Sequence, residues 1–484
     1  MANAPALLVP LDDPPSYQQF EQQLCQRLEQ GGRVVSYFAR RLTTADIELS
    51  AVIQDSNGIS LLRGLATHQT ERVSLTPRFA SLHIFEREIF EQTGLPMPEH
   101  PWLKPVRSPV EPMESYRFFD MTGKEVHQVA VGPIHAGVIE PGHFRFHCHG
   151  EVVHHLEIQL GYQHRGIEKL LLQRPLAHAP ALVESIAGDT VIGHSWAFCR
   201  ALEALAQVSV PEQVEIARGI ALELERIAMH LSGLSGIATD IGFLQGSTTW
   251  GRLRTTIINM SMLLCGSRFG RGWLRPGGVR FGIAPEVGQR GLAQLVQFER
   301  DMAVMVELFR ASLTVNGRLH KVGTVTAELA DQMGLVGMAA RSSGLPLDLR
   351  ATLPGLAFSL RPVPVATVAS GDCWARAELR ILEIGHSLAW LRQALVRTDL
   401  DATPLQPLGP LAPNAMGLGL CEAWRGEVLH TLQTDSDGHL CFYKAQDPSL
   451  RNWFGLAQSL RGNEISDFPI CNKSFDLSYC GSDL

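Results

Sequence analysis

Two sets of charged side chains recur at helical spacing and could hold or relay charge inside the protein. Glu223, Arg226 and His230 stand at positions i, i+3 and i+7, so one stripe of a helix carries all three. A second stripe of the same kind comprises Arg376, Arg380 and Glu383. Charges on otherwise apolar helices need buried partners, which the two stripes could give each other. Two interpretations stay open: a charge relay beside an active site, or a structural ladder of salt bridges.

A histidine-rich segment is a second candidate for chemistry. Residues 144–153 are predicted to form a β-hairpin with its turn at Gly150. The imidazoles in or next to it belong to His143, His147, His149, His154 and His155. Paired imidazoles can bind zinc or copper, but the ordered spacing of a zinc site is missing, and adjacent residues of a strand point to opposite faces. We therefore predict no metal here and keep an independent histidine-rich metalloprotein as an alternative.

Composition limits the function classes. The chain has 484 residues, of which 45% are hydrophobic and 19% charged, as in a globular protein with an ample core. A net charge of −7 and the absence of a Lys/Arg run argue against nucleic-acid binding. The start lacks the features of a signal peptide, and no window approaches 18 consecutive apolar residues, so any membrane role is expected to come through partners. The nine cysteines form no Cys-x-x-Cys pair and are predicted to be reduced, mostly buried thiols.

The pattern of turns and periodicity predicts an α+β protein in three parts. Residues 1–105 are expected to be a small α+β domain, 106–130 a proline-rich linker, and 131–484 a large, mainly helical domain with peripheral β-hairpins. Six prolines between residues 95 and 112 support an extended segment there. The best-marked helix is predicted to start at a capping box, Ser209-Val-Pro-Glu212, and to stop near Gly233 and Gly236. Two further long helices are predicted over about 291–313 and about 372–396.

Several motifs, in order, resemble one family of redox subunits. They are Gly132-Pro-Ile-His135, Gly161-Tyr-Gln-His-Arg-Gly-Ile-Glu-Lys169, Glu223-Leu-Glu-Arg-Ile-Ala-Met-His230, Arg275-Pro-Gly-Gly-Val279, Gly371-Asp-Cys-Trp-Ala-Arg376 and Glu422-Ala-Trp-Arg-Gly-Glu427. Residues 130–484 thereby resemble the large subunit of nickel–iron hydrogenases and its relative, the 49 kDa quinone-site subunit of respiratory complex I. Residues 15–105 resemble, weakly, the 30 kDa subunit of complex I. A fusion of the two units is typical of membrane-bound hydrogenases of the formate-hydrogenlyase type.

The metal-ligand cysteines of that family are missing. By the resemblance, the first thiolate pair falls at Ala187 and Thr190, just before His194-Ser195, and the second at Ser478 and Gly481. Cys480 is one residue out of register. Because nickel and iron need soft thiolates here, we expect no nickel–iron centre and no metal bound by this chain.

The resemblance implies roles for several other residues. It makes Glu168 a proton-transfer carboxylate, with a helix-start acid favoured by the helix dipole as the alternative. Asp189 is an acidic group where the thiolates would be, and we place it with His194 among the catalytic candidates. The candidates Glu223, Arg226, His230 and Arg376 complete that set.

The quinone site of complex I is also poorly matched. Its His and Tyr fall at about Ile139 and Gly188, and a His beside the terminal iron–sulfur cluster falls at Gly270. Arg165 and Arg275 are retained, and the resemblance places both near an iron–sulfur cluster of a partner subunit. The docking face is therefore expected to be better preserved than either active site.

These observations predict the large subunit of the cytoplasmic arm of a membrane-bound oxidoreductase related to complex I and hydrogenases. It would lie peripherally at the cytoplasmic face of a bacterial or archaeal inner membrane. Its expected partners are a small iron–sulfur subunit and antiporter-like membrane subunits, and electron transfer, with quinone as one conceivable acceptor, would be coupled to ion translocation. The alternative within the same complex is a structural subunit without catalysis.

Overall fold

The computed structural model describes residues 4–107, 116–401 and 405–484 of the chain. The strands are β1 (Ala6–Pro10), β2 (Arg33–Arg41), β3 (Asp46–Asp55), β4 (Gly58–Thr67), β5 (Val126–Val131), β6 (His143–His149), β7 (Val152–Gln159), β8 (Leu274–Arg275), β9 (Gly278–Val279), β10 (Ala415–Glu422), β11 (Glu427–Thr434) and β12 (Leu440–Gln446). Most of the chain between the hairpin and β10 is helical. The fold is α+β, as the sequence predicts.

The helices vary widely in length. They are α1 (Tyr17–Glu29), α2 (His83–Thr93), α3 (Ile167–Gln173), α4 (Ala179–Val183), α5 (Val191–Leu205), α6 (Glu212–Asp240), α7 (Leu244–Cys265), α8 (Pro285–Ala311), α9 (Leu313–Leu319), α10 (Ala327–Gln332), α11 (Gly337–Arg341), α12 (Leu349–Thr352), α13 (Gly355–Leu360), α14 (Cys373–Leu395), α15 (Ser449–Ser459), α16 (Phe468–Phe475) and α17 (Tyr479–Asp483). Among the described residues, no helix is both long and apolar enough to cross a membrane.

The N-terminal part is a small layer of sheet and helix. Strands β2, β3 and β4 form an antiparallel meander, and α1 and α2 pack on it around Phe20, Leu49 and Phe85. Ser16 caps α1 through a capping box with Gln19. Strand β1 does not join this sheet but pairs with β10, so the first strand extends the sheet near the C-terminus, in the order β1-β10-β11-β12.

The predicted linker is only partly described. Residues 108–115, which include Pro109 and Pro112, lie outside the described residues. The end of the predicted linker forms β5, which pairs with β6. Strands β6 and β7 form the predicted hairpin around Gly150, with a bulge between His147 and Cys148.

Helix α6 is the axis of the large domain and packs against α7 and α14. It differs from the prediction at both ends. Its N-terminus at Glu212 follows Pro211 with no side-chain cap, so the predicted capping box does not form, and it runs on to Asp240. Gly233 therefore does not stop the helix. Instead, the missing side chain lets Arg380 pack closely against α6, since a Cβ at Gly233 would lie 2.7 Å from Nε of Arg380. The two other predicted helices correspond to α8 and α14, with bounds shifted by up to six residues.

Candidate functional site

The four positions predicted for the family's thiolates lie in two chain segments that meet. Ala187 and Thr190 precede α5, and Ser478 and Gly481 lie where α17 begins; all four are buried. Arg425, between β10 and β11, joins the segments. Its guanidinium donates to Oγ1 of Thr190 at 3.0 Å and to the backbone carbonyl of Asp476 at 2.5 Å.

Asp189 is the acidic residue at this junction of the two segments, which we call the pocket at Arg425. Both of its carboxylate oxygens accept from Arg425, at 2.6 and 2.7 Å. Burial works to raise the pKa of Asp189, but the Arg425 guanidinium outweighs it, and the pKa is lowered. A bidentate pair of this kind is the strong form of an ion pair. The acidic group that stands near the predicted thiolate positions is thus a carboxylate paired with an arginine.

The residues at the four positions do not fit a nickel–iron centre. The Oγ of Ser478 accepts the N–H of Gly481 at 2.9 Å, as a helix cap does. A Cβ at Gly481 would lie 2.7 Å from Oδ2 of Asp447, so the position is closed to a larger side chain unless Asp447 moves. Cys480 is adjacent, but burial raises the pKa of its thiol to about 11, which keeps it protonated. Alanine, threonine, serine and glycine supply none of the soft thiolates that such a centre requires.

His194 begins a buried chain of hydrogen bonds that the sequence does not reveal. Its Nε2 lies 3.0 Å from Asp447, and its Nδ1 lies 3.1 Å from Nε2 of His430. The Nδ1 of His430 lies 2.9 Å from the hydroxyl of Tyr443. All four side chains are buried. Burial, aided by His194, holds the pKa of His430 well below its usual value, so His430 is neutral.

The donors of this chain can all point the same way. With His430 neutral and Tyr443 donating to its Nδ1, the Nε2–H of His430 donates to His194, whose own Nε2–H donates to the Asp447 carboxylate. Such an arrangement can pass a proton stepwise between Tyr443 and Asp447. Asp447 in turn touches the Gly481 position, so the chain ends at the pocket. The partners come from β11 and β12, and no spacing near His194 indicates them.

The stripe on α6 is held by a buried charge ladder. Glu383 of α14 accepts from Nε2 of His230 at 2.8 Å and from Arg226 at 3.5 Å. Glu223 lies 3.3 Å from Nε of Arg226. The side chains of all four residues are fully buried. The prediction that the two stripes supply each other with partners is thus realised through Glu383.

Four more charged residues extend the ladder. Arg341 donates to Glu383 at 2.8 Å and to Glu422 at 2.6 Å, and Arg350 donates to Glu223 at 3.1 Å and to Asp348 at 2.7 Å. Arg341, Asp348 and Arg350 come from the short helices between α10 and α13, where no periodic pattern marks them in the sequence.

The remaining members of the second stripe point elsewhere. Arg376 donates to the hydroxyl of Ser474 and to the backbone carbonyls of Gly371 and Gly323, each at 2.8 Å. Arg380 lies 3.8 Å from the carboxylate of Asp476, and burial lowers its pKa to about 10. These arginines therefore hold the C-terminal segment rather than the ladder.

Glu168 lies in the first turn of α3, beside β12. Its carboxylate accepts the backbone N–H of Ala445 at 3.1 Å and lies 3.2 Å from Nζ of Lys444. The side chain is 21% exposed. Burial and the charge of Glu168 together raise the pKa of Tyr443, which ends the buried chain described above, well above its usual value. Both interpretations of this residue, proton carrier and helix-start acid, are compatible with the geometry.

Arg165 and Arg275 contact the same short segment. Arg165 donates to the backbone carbonyls of Ser185 and Ile186, at 2.6 and 2.9 Å, and Arg275 lies 3.3 Å from Glu184. Arg165 also approaches the carbonyl of Cys480 at 3.4 Å. The two arginines thus flank the segment that leads into Ala187, and Arg165 is exposed.

The histidines of the hairpin form two cross-strand pairs. The rings of His147 and His155 are 5.8 Å apart, and those of His149 and His154 are 6.3 Å apart. Within the described parts of the chain, the one set of three clustered ligand-type side chains is Asp435, Asp437 and His439, in the turn between β11 and β12.

The helical core, the buried ladder and the pocket at Arg425 define a large-subunit scaffold, and comparison with known proteins gives its family. The family model of the respiratory-chain NADH dehydrogenase 49 kDa subunit matches residues 240–407. Formate hydrogenlyase subunit 5 of Escherichia coli is 30% identical over 444 residues, covering 86% of this chain and 77% of that protein. The membrane-bound hydrogenase subunit alpha of Pyrococcus furiosus is 31% identical over 369 residues, covering 72% and 85%.

A third relative comes from the complex I branch. An NADH-quinone oxidoreductase chain of Thermosipho melanesiensis is 30% identical over 355 residues, covering 72% of this chain and 96% of that protein. The chain belongs to the family of the hydrogenase large subunits of formate-hydrogenlyase type and the complex I 49 kDa subunits. The resemblance in the motifs is thereby confirmed.

Proposed function

We propose that this chain is the large subunit of a membrane-associated oxidoreductase complex that works without a nickel–iron centre of its own. It docks a small iron–sulfur subunit and joins the cytoplasmic arm to antiporter-like membrane subunits, so that electron transfer drives ion translocation. The observation that carries the proposal is the pocket at Arg425. There Ala187, Thr190, Ser478 and Gly481 stand at the positions predicted for the thiolates, with the Asp189–Arg425 pair and the Ser478 cap at or beside them.

The docking face is supported by charge. Arg165 and Arg275 flank residues 184–186, and Arg268, Arg271 and Arg280 are exposed on or next to the loop that carries Arg275. Iron–sulfur clusters bound by thiolates carry net negative charge, and nearby cations favour the reduced, more negative state. A cationic face beside the pocket therefore suits a cluster-bearing partner.

Proton movement is supported by the buried chain from Tyr443 to Asp447. In this proposal Glu168 exchanges protons with solvent, and the chain His430–His194 carries charge toward the pocket. The proton ends at Asp447, which touches the Gly481 position. Enzymatic turnover thus belongs to the assembled complex, and this chain contributes the proton path and the docking face.

A structural subunit without catalysis is the second candidate. The bidentate Asp189–Arg425 pair favours it, because a closed ion pair can replace a metal as the joint between the two segments. This candidate keeps the docking face but assigns no role to the buried chain.

The docking proposal is tested by Arg165→Met in the assembled complex. Loss of a cation near the cluster should lower the midpoint potential of the partner's nearest cluster, measured by redox titration followed by electron paramagnetic resonance. Arg165→Lys keeps the charge and should restore much of the potential. Arg174→Met, an exposed arginine just after α3, is the matched control and should leave the potential unchanged. An unchanged potential in assembled Arg165→Met complex would contradict the placement.

A further inference from the structure

Two cysteines far apart in sequence meet in the core. Cys373 is the first residue of α14, and Cys471 lies in α16. Their sulfur atoms are 3.9 Å apart, and both residues are fully buried. Both are free thiols. The function proposed above uses neither of them.

Arg376 contacts one of the two thiols and makes their pKa values differ. Its Nη2 lies 3.4 Å from Sγ of Cys373, and its guanidinium lies over the ring of Phe475. Burial works to raise the pKa of Cys373, but the hydrogen bond from Cys471 and the charge of Arg376 outweigh it, and the pKa is lowered. The pKa of Cys471 is raised well above its usual value, because the negative sulfur of Cys373 and burial both oppose its ionisation. Cys373, whose sulfur lies beside the Arg376 guanidinium, is therefore the more readily ionised of the two thiols.

We propose that Cys373 and Cys471 are a thiol–disulfide exchange site that is oxidised by a small disulfide such as glutathione disulfide. The Cys373 thiolate attacks one sulfur of the oxidant, which forms a mixed disulfide and releases one glutathione thiolate. Cys471 loses its proton to that thiolate and attacks Sγ of Cys373, which releases the second glutathione thiolate; this takes a proton from water. Starting from the Cys373 thiolate and the Cys471 thiol, the protein loses two electrons and one proton, water supplies the second proton, and the oxidant becomes two thiols.

Residues 321–324 separate the pair from solvent, and the proposal requires this segment to open before the oxidant can enter. The backbone N–H of Cys373 donates to the carbonyl of Val322, and the flanking residues Lys321 and Thr324 are exposed. Gly323 lies directly over the sulfurs, since a Cβ there would be 2.5 Å from Sγ of Cys471. Opening this segment exposes both thiols, so the reaction rate follows local opening rather than global unfolding.

The product disulfide would act on the pocket. It would tie the start of α14 to α16, and α16 ends one residue before Asp476, whose carbonyl is held by Arg425. Ser474 of the same helix already bonds Arg376. Oxidation would therefore restrain the segment that leads to Ser478 and Gly481. In this way the redox state of the two cysteines would control how rigidly the pocket is held.

The test uses the full-length chain in glutathione buffers of graded redox ratio, quenched by acid and alkylated. Intact mass and peptide mapping should show loss of two hydrogens and a peptide cross-linked between Cys373 and Cys471. Cys471→Ser should instead accumulate one glutathione on Cys373, because nothing resolves the mixed disulfide. Cys199→Ser, which removes a buried cysteine whose pKa burial raises to about 12, is the matched control and should oxidise like the wild type.

Peptide mapping of the oxidised wild-type chain decides the proposal even if a cysteine variant fails to fold. The exposed Cys441 reports that the oxidant is active. If Cys441 becomes glutathionylated while Cys373 and Cys471 both stay reduced in folded protein, the proposal is overturned. Cross-linking of Cys373 or Cys471 to a different cysteine would overturn it as well.

Discussion

The ladder between α6 and α14 and the pocket at Arg425 are both buried and charged, yet they differ in what they keep of the family. The ladder retains the charged residues of the motifs, with Glu383 bonded to His230, Arg226 and Arg341. In the pocket, the resemblance puts Ala187, Thr190, Ser478 and Gly481 where the family has thiolates, and none of the four is a soft ligand. We therefore propose that this chain keeps the scaffold of the family without its metal chemistry.

The reason lies in the different costs of change. Removing one member of a buried ladder leaves other charges unpaired in a low-dielectric interior, which is strongly destabilising. Losing metal ligands leaves a cavity and no unpaired charge, and a neutral side chain or an ion pair can fill it. Asp189 and Arg425 satisfy each other in this way.

The largest effect is expected from Glu383→Gln. The change keeps the volume but leaves Arg341 and Arg226 without their shared carboxylate, so we expect the free energy of unfolding to fall by about 3–5 kcal/mol. Chemical denaturation of the full chain measures it. Asp301→Asn, which breaks the exposed pair with Arg252, is the control and should have no measurable effect. A loss no larger than the control's would show that the ladder does not hold the core.

A smaller effect is expected on the pH dependence of stability, to which the buried His230 of the ladder contributes and an exposed histidine does not. Burial lowers the pKa of His230 from 6.5 to about 4, despite Glu383. Because the folded pKa is depressed, the stability is full above pH 6.5 and is lost as the pH falls toward 4. Between pH 7.5 and 5.5 this residue should account for a loss of roughly 1.4 kcal/mol.

Chemical denaturation of His230→Gln at pH 7.5 and 5.5 checks how much of the loss of stability comes from His230. The variant should lose less stability than wild type on acidification, whatever its stability at pH 7.5. His154→Gln, at an exposed histidine, should keep the wild-type pH dependence. Equal slopes for wild type and His230→Gln would show that His230 is not held neutral.

The sequence predicts the ladder better than the pocket, for a physical reason. Residues three and four apart on α6 and α14 share a stripe, so the spacing alone indicates Glu223, Arg226, His230 and Glu383. Tyr443, Asp447 and Arg425 come from separate turns and strands, and only tertiary packing brings them to the buried chain and the pocket. Helix α7 is absent from the sequence prediction although its apolar residues recur at helical spacing, because polar residues on its exposed side obscure the pattern; those apolar residues are Trp250, Leu253, Ile257 and Leu264.

The smallest effect on stability, with a large effect on function, is expected from Glu168→Gln. The amide oxygen of the glutamine can still accept the N–H of Ala445, so the free energy of unfolding should change by less than about 1 kcal/mol. If Glu168 passes protons to the buried chain, the assembled complex should lose most of its turnover or its coupling to ion movement. Turnover and ion uptake in membrane vesicles measure both. Wild-type rates with intact coupling would assign Glu168 to a helix-start acid held by Lys444.

Metal analysis of the purified complex tests the central claim, that the family scaffold persists here without its metal site. The four positions Ala187, Thr190, Ser478 and Gly481 offer no thiolate, and Cys480 is a single thiol one residue out of register. We therefore predict iron and sulfide from the partner's clusters, nickel far below stoichiometric, and no hydrogen uptake. About one nickel atom per chain, retained after chelation, would contradict this account, because it would require ligands other than the soft thiolates of such a centre.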